Sequence, residues 1–521
     1  MKNFLPFLLF IAFTLPNASA QSPTFSENIA LILYDHCTTC HRPGNIGPFP
    51  LLTYEDAASQ AYSIQSAVNS SIMPPWPPNP EYRHFKNELI LSQSQIDQIN
   101  DWVDAGAPQG DSTLAPPQPV FPVGSLLGTP DIVMPMMQPH VTAGNGLDEY
   151  YFFVLHTNLT EDRAIKGIEF IPGNAKAVHH GIFYVDTTGT AAAMDDTTAE
   201  YGIKAQGTGP IFPVAEDVGG WAPPGLNQSF FPAGIGRMLW KNCDIVIGLH
   251  YAPTDSIYSD QSTINIFFAD NDSLRILQND AVWEFYLTEP PLKIYANTVE
   301  TFEEVFPVMQ DISIYDVAPH AHLLCKQVTA YALTPDLDTV HLISCDYDFH
   351  WQYQYVNQML LKIPAGSVIH VFGTYDNTVN NPDNPNDPPI TVSRGESTAD
   401  EMMLFYFNYL PYKSGDEYFI IDSSLIATGN SSLVPKGIET EYPVIPNPAS
   451  NHFVTLVKSD LPPQAMLFDL SGKQLPVALE ITRQNNVWRI HGAAGLLTSG
   501  MYLLRINADG NQNNLKVMIS R

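Results

Sequence analysis

Apolar residues along this chain follow two different periods, and the change falls between residues 112 and 125. Before it they recur at helical spacing. Ala57, Ala61, Ile64 and Val68 share one face of a predicted helix that Thr53 caps, with Glu55 and Asp56 in its first turn. Ser92 starts another, with Ile96, Ile99 and Val103 on one face and a stop at Gly106 and Pro108. A shorter helix, Ser26 to Tyr34, leads into a pair of cysteines. After a proline-rich linker, Ala115 to Pro122, the pattern becomes short alternating runs separated by turn residues. These are Tyr150–Leu155, Gly167–Phe170, Gly181–Val185, Ile245–Tyr251, Thr263–Phe268, Glu284–Leu287, Ile312–Val317, Val328–Leu333, His341–Cys345, Val368–Tyr375 and Met402–Tyr409. Such a pattern predicts strands of sandwich type, and it runs too far for one sandwich. Asn377 to Pro389 reads as a surface loop and Gly429 to Lys436 as a second linker. The expected fold is multidomain and mainly β. Residues 21–112 form a small α-helical domain, 125–285 and 286–432 two jelly-roll-like β-sandwiches, and 440–521 a small C-terminal β-sandwich.

Residues 1–20 read as a signal peptide. Lys2 gives the charged start, Leu5 to Leu15 the apolar run, and Ala18-Ser19-Ala20 the small-residue cleavage site. That run is too short to span a membrane. The 521 residues carry a formal net charge of −30, which argues against nucleic acid and anionic membrane surfaces as partners. Of the five cysteines, Cys37 and Cys40 form a pair, leaving Cys243, Cys325 and Cys345. Export is compatible with a Cys325–Cys345 disulfide, and three buried free thiols are the other reading. There is no G-x-S-x-G, phosphate loop or H-E-x-x-H.

Cys37-Thr38-Thr39-Cys40-His41 has the spacing for covalent attachment of a c-type haem. One helical turn brings both sulfurs and the imidazole to one edge of the porphyrin, with His41 as iron ligand. Met73 is the first choice for the sixth ligand, and His36 and His84 compete with it. His41-Arg42-Pro43-Gly44 and Met73-Pro74-Pro75-Trp76 make this segment resemble small cytochrome c domains fused to secreted enzymes.

A second set of metal-seeking residues lies further on. His320 and His322 alternate on a predicted strand, so both rings point the same way. His179 and His180 are adjacent and would point apart on a regular strand, so sharing one ion requires a twist or a strand end, for which Gly181 allows. His250 sits in a third strand, and Met402 follows Asp400-Glu401. Imidazole suits copper in both oxidation states and a thioether favours Cu(I). His140, near Met134, Met136 and Met137, reads as packing.

His179-His180, His250 in Leu249-His250-Tyr251, His320-Ala321-His322 and Asp400-Glu401-Met402 occur in the order found in the copper type II ascorbate-dependent monooxygenases, the family of the peptidylglycine α-hydroxylating and dopamine β-monooxygenases, which residues 125–430 resemble. The resemblance implies two sandwich domains, each holding one copper across a solvent-filled cleft. His179, His180 and His250 would bind the electron-storing copper; His320, His322 and Met402 would bind the catalytic one, where O2 is activated to hydroxylate a C–H bond. Met403 competes with Met402. Ala318 stands where the peptide-amidating branch has an arginine, so a peptide C-terminus is not the expected substrate, and Cys325 replaces a usual glycine.

Pro446-Asn447-Pro448, Leu467 to Lys473, Ser499-Gly500-Met501-Tyr502 and the basic end Lys516 to Arg521 resemble the sorting domain of the type IX secretion system of Bacteroidetes. The expected protein is a copper-dependent monooxygenase, secreted or held at the cell surface after passage through a Gram-negative periplasm. Two copper ions and one covalent c-type haem are its expected cofactors. Its expected partners are O2, a small organic substrate, an ascorbate-like reductant or redox protein, and the type IX machinery. The alternative is a secreted electron-transfer or copper-binding haem protein without oxygenase activity.

Overall fold

The structure is a computed structural model. It describes residues 22–421 apart from 122–123, 199, 223–224, 226–228 and 271–273, and parts of 444–519. The signal peptide, the Gly429–Lys436 linker, Pro446-Asn447-Pro448, Asp469-Leu470-Ser471-Gly472, Ser499 and the last two residues lie outside the described residues. The chain divides into one unit of Met1–Trp76 with Leu89–Leu126 and another of Pro77–Glu88 with Leu127–Arg521.

The first unit is helical. A wide π-turn, Phe25–Ile29, capped by the Thr24 hydroxyl, continues into α1 (Ala30–His36), which ends at Cys37. The expected long helix after Thr53 is two helices, α2 (Tyr54–Ser59) and α3 (Ala61–Asn69). The break has a local cause. The Ser59 hydroxyl donates to the Asp56 carbonyl at 2.8 Å, the acceptor that the Gln60 N–H would use in a regular helix, and Gln60 N–H turns to Ala57 instead. α4 (Gln93–Asp104) starts on a Ser92/Gln95 capping box. Phe25, Ile29, Leu33, Ala61, Ile64 and Trp102 belong to the core these helices share.

The second unit is β. Its first half packs two sheets. One runs Ile203–Ala205, β1 (Glu149–His156), β3 (Asp244–Tyr251), β2 (Val178–Asp186) and Glu216–Trp221, all antiparallel. The other is built around Thr263–Phe268 and Arg163–Ile171. Phe153, Leu155 and Ile247 of the first sheet and Ile165, Phe170 and Ile266 of the second share one core. β1 and β3 are buried almost throughout rather than alternating, because Phe152, Val154 and Val246 on the opposite face enter a second cluster beneath Ala191 and Phe212.

The second half pairs Gln278–Trp283, β5 (Leu404–Pro411), β4 (Ile312–His320) and Tyr355–Ile363. Its other sheet joins Val299–Pro307, Val368–Asp376, Cys325–Leu333 and Thr339–Asp346. Phe306 and Phe407 meet edge-on at 5.7 Å across the two sheets. Glu284–Tyr286, expected as strand, is a single 3-10 turn closed by Leu287 N–H on Glu284 O. Pro77–Glu88 lies along this half: Asn79 N–H donates to Ser344 O and Lys86 N–H to Val356 O, both at 2.8 Å, and Phe85 is buried against Tyr355.

In the C-terminal region two small sheets enclose Phe453, Ile490, Leu504, Ile506 and Val517. No helix among the described residues is long and apolar enough to cross a membrane. All five cysteines are unbridged. The Cys325–Cys345 disulfide is not formed: Cys345 stands opposite Val328, three positions along the strand from Cys325.

Candidate metal centre

Adjacent histidines converge here because β2 carries a bulge. The register against β3 shifts between Val178 and His180, so the pair Val178–Tyr251 is followed directly by His180–His250, with His179 extra. The Nδ1 atoms of His179 and His180 stand 3.1 Å apart, and that of His250 lies 3.4 Å from His180 Nδ1. One nitrogen from each of the three rings falls within 4.8 Å of the others. The far nitrogen of His250, Nε2, donates to Asp148 at 2.7 Å, which leaves Nδ1 as its free ligand atom. Tyr150 stacks on the His250 ring at 4.4 Å.

β4 ends at His320, so His320 and His322 do not alternate on one strand as expected. A turn presents His322, and three other groups hold it. The Tyr347 hydroxyl bridges the Ala321 backbone, donating to O at 2.7 Å and accepting from N at 2.9 Å. The buried Glu401 carboxylate accepts from the backbone N–H of His322, Leu324 and Met402 at 3.0, 2.7 and 3.1 Å. His320 Nδ1 donates to Gln352 at 2.8 Å and His322 Nδ1 to the Asp400 carbonyl at 3.1 Å, so both present Nε2. Both methionines are buried; Met402 lines the same cavity as His320, and a Cβ at Gly373 would meet the Met403 sulfur at 3.3 Å.

Burial, reinforced by neighbouring imidazoles, lowers His179 and His322 to about 3 and His180 well below its usual value. Burial takes His320 to about 4 against the Gln352 bond. Neutral imidazoles with one free nitrogen each are the form that binds a metal. Burial also works to raise Asp148, but the bonds from His250 and Thr398 outweigh it and hold that carboxyl below the usual range.

Residues 292–418 match the family model of the copper type II ascorbate-dependent monooxygenase, C-terminal domain. This span contains His320, His322 and Met402, and the matched family implies copper. Residues 443–520 match the secretion system C-terminal sorting domain, which supports secretion or cell-surface placement. No curated protein matches the chain. Among solved structures, a marsupial T cell receptor is 11% identical over 68% of this chain and 99% of its own, with a TM-score of 0.12. A complex of Dpr2 Ig1-Ig2 with DIP-Theta Ig1-Ig3 is 7% identical over 70% and 99%, with a TM-score of 0.13. At such scores neither carries an argument.

The two ligand sets adjoin each other. The rings of His180 and His320 meet edge-on with centroids 6.0 Å apart. Phe349 stacks on His179 at 4.9 Å and meets His322 edge-on at 6.0 Å. The two sets thus come together at these side chains. Beside them lies a cavity of about 320 Å³ whose wall includes His180, Asp217, Trp221, Ala318, His320 and Met402. Ala318 does face it, and Arg394, its arginine, is already paired with Glu284 and Glu396.

In the helical unit, Cys37 and Cys40 follow α1 with burial pushing their thiols up to about 12 and about 11. His41 Nδ1 donates to Phe49 O at 3.0 Å, leaving Nε2 free. A Cβ at Gly47 would meet Cys40 O at 2.7 Å, so the loop behind His41 closes only with glycine. Met73 follows α3, partly exposed, and no hydrogen bond among the described residues links it to His41. Both competitors have partners: His36 Nε2 contacts the Gln95 amide at 3.1 Å, and His84 pairs with Glu88 at 2.9 Å. His140 packs on Tyr151 and Tyr251, outside the histidine cluster, as the sequence implied. Asp148, Gln352, Phe349 and Tyr347 escaped sequence reasoning; only Glu401 carried a signal, within Asp400-Glu401-Met402.

Proposed function

We propose that the chain is a secreted copper-dependent monooxygenase that hydroxylates a C–H bond of a small organic substrate. The observation that carries this reading is the convergence of two sets of imidazole and thioether side chains on one cavity. One nitrogen from each of His179, His180 and His250 lies within 4.8 Å of the others, His320 and His322 each leave Nε2 free, and His180, His320 and Met402 line one cavity. The three-imidazole set suits both copper oxidation states and the thioether set favours Cu(I). Copper, when bound, supplies the one-electron chemistry that O2 activation requires.

The balance of the reaction is a C–H bond, O2, two electrons and two protons going to C–OH and water. An ascorbate-like reductant or redox protein would supply the electrons; Cys37, Cys40 and His41, with Met73, would hold a haem, which would supply one-electron transfer. The chain's own part is to keep the imidazoles neutral, fix their free nitrogens, and hold substrate against Met402 and His320 in the cavity. Ala318 offers no cation for a substrate carboxylate, so a neutral or hydrogen-bond-donating substrate fits better. The test is O2 uptake by the reduced, copper-loaded chain during a substrate screen. Uptake matched one-to-one by hydroxylated product, and lost in Met402→Ala, is expected. Copper binding without turnover would leave an electron carrier.

A further inference from the structure

The two histidine sets are built from different halves of the second unit, and one acidic side chain bonds residues of both halves. Asp148 Oδ1 accepts from His250 Nε2 and from the Thr398 hydroxyl, each at 2.7 Å, and its Oδ2 accepts from Thr398 N–H at 3.3 Å. Two residues on, Tyr150 stacks on the same His250 ring, and its hydroxyl donates to Glu396 O at 3.1 Å. The start of β1 thus grips His250 with one hand and the 396–398 segment with the other. That segment is itself stiff. Asp400 N–H donates to Ser397 O at 2.8 Å, Gly395 N–H to Glu401 O at 3.1 Å, and the Glu401 carboxylate then ties Met402 to His322. Hydrogen bonds and short chain links run from the His250 ring to the ligands of the other set.

We infer that Asp148 is a positioning residue that fastens the histidine triad to the loop carrying Met402, so that Thr398, which touches no ligand, supports the triad through it. The inference rests on the proposal that these sets hold copper. Outer-shell partners of a ligating histidine fix its ring and raise its basicity, and their loss costs about 10–100-fold in metal affinity. If Thr398 orients Asp148, losing its hydroxyl should cost part of that factor.

The test is Cu(I) affinity of the full chain, by competition with a chromophoric chelator. The triad's binding step is identified by its loss in His179→Ala. Asp148→Ala should weaken that step about 10–100-fold. Thr398→Val should weaken the same step several-fold, Thr398→Ser should restore it, and Thr398→Val should add nothing to Asp148→Ala. Wild-type affinity in Thr398→Val, or effects that simply add, would overturn the coupling and leave Asp148 serving His250 alone. Failure of Thr398→Ser to restore what Thr398→Val loses would reduce the effect to general misfolding and overturn it too. A wild-type chain that binds no Cu(I) would overturn the copper reading and this inference together.

Discussion

Which nitrogen of each histidine faces the site depends on what holds the other one. Asp148 takes Nε2 of His250, Gln352 takes Nδ1 of His320, and the Asp400 carbonyl takes Nδ1 of His322. The histidines themselves were legible, because paired and alternating imidazoles with a nearby methionine are an uncommon pattern. Their holders were not: Asp148 is 102 residues from His250, and a lone acid in a loop carries no local signal. Glu304 was equally invisible. It is fully buried in the second half, and among the described residues neither carboxyl oxygen is hydrogen-bonded. Burial, with Glu284 nearby, pushes it from 4.5 to about 8. The sign follows from linkage. Across this window the folded chain keeps a proton that the unfolded chain releases, so the stabilising contribution is complete below about pH 4.5 and is lost as pH rises through about 8. Glu304→Gln, which needs no proton, should flatten the fall of the thermal midpoint between these pH values. An unchanged slope would show that Glu304 is not the titrating group.

At the scale of elements, helix ends were the most legible features, because Thr53 and Ser92 announce themselves through capping boxes. The break at Gln60 was not, since it depends on which donor reaches the Asp56 carbonyl. The need for a distortion at His179 could be argued from side-chain alternation alone, and a β-bulge supplies it. His322 shows the opposite: alternation placed it on a strand that ends two residues earlier. The Pro77–Glu88 segment, proline-rich and short, gave no sign that it pairs with Ser344 and Val356, because such contacts are entirely non-local. Its anchor is Phe85, 1% exposed, helped by Arg83 on Asn357 Oδ1 at 2.8 Å and Tyr82 stacked on His341 at 4.1 Å. Phe85→Ala should destabilise this half by about 3–5 kcal/mol, read from denaturant unfolding of the full chain. A loss below about 1 kcal/mol would mean that the segment is peripheral.

Taken whole, the chain joins a helical unit with a CxxCH site, a β unit with two adjoining histidine sets, and a region matching a secretion sorting domain. The change of hydrophobic period, from helical to alternating, was enough to foresee a mainly β molecule with one helical part. The closeness of the two histidine sets was not foreseeable, because it depends on how two sandwiches meet and on Phe349 lying between His179 and His322. If these sets are two copper sites, metal analysis of the haem-matured full chain will count them. About two coppers per chain are expected. His320→Ala and Met402→Ala should each remove one, His179→Ala the other, and Cys40→Ser neither. A chain without copper, or copper retained in all three site variants, would contradict the copper reading.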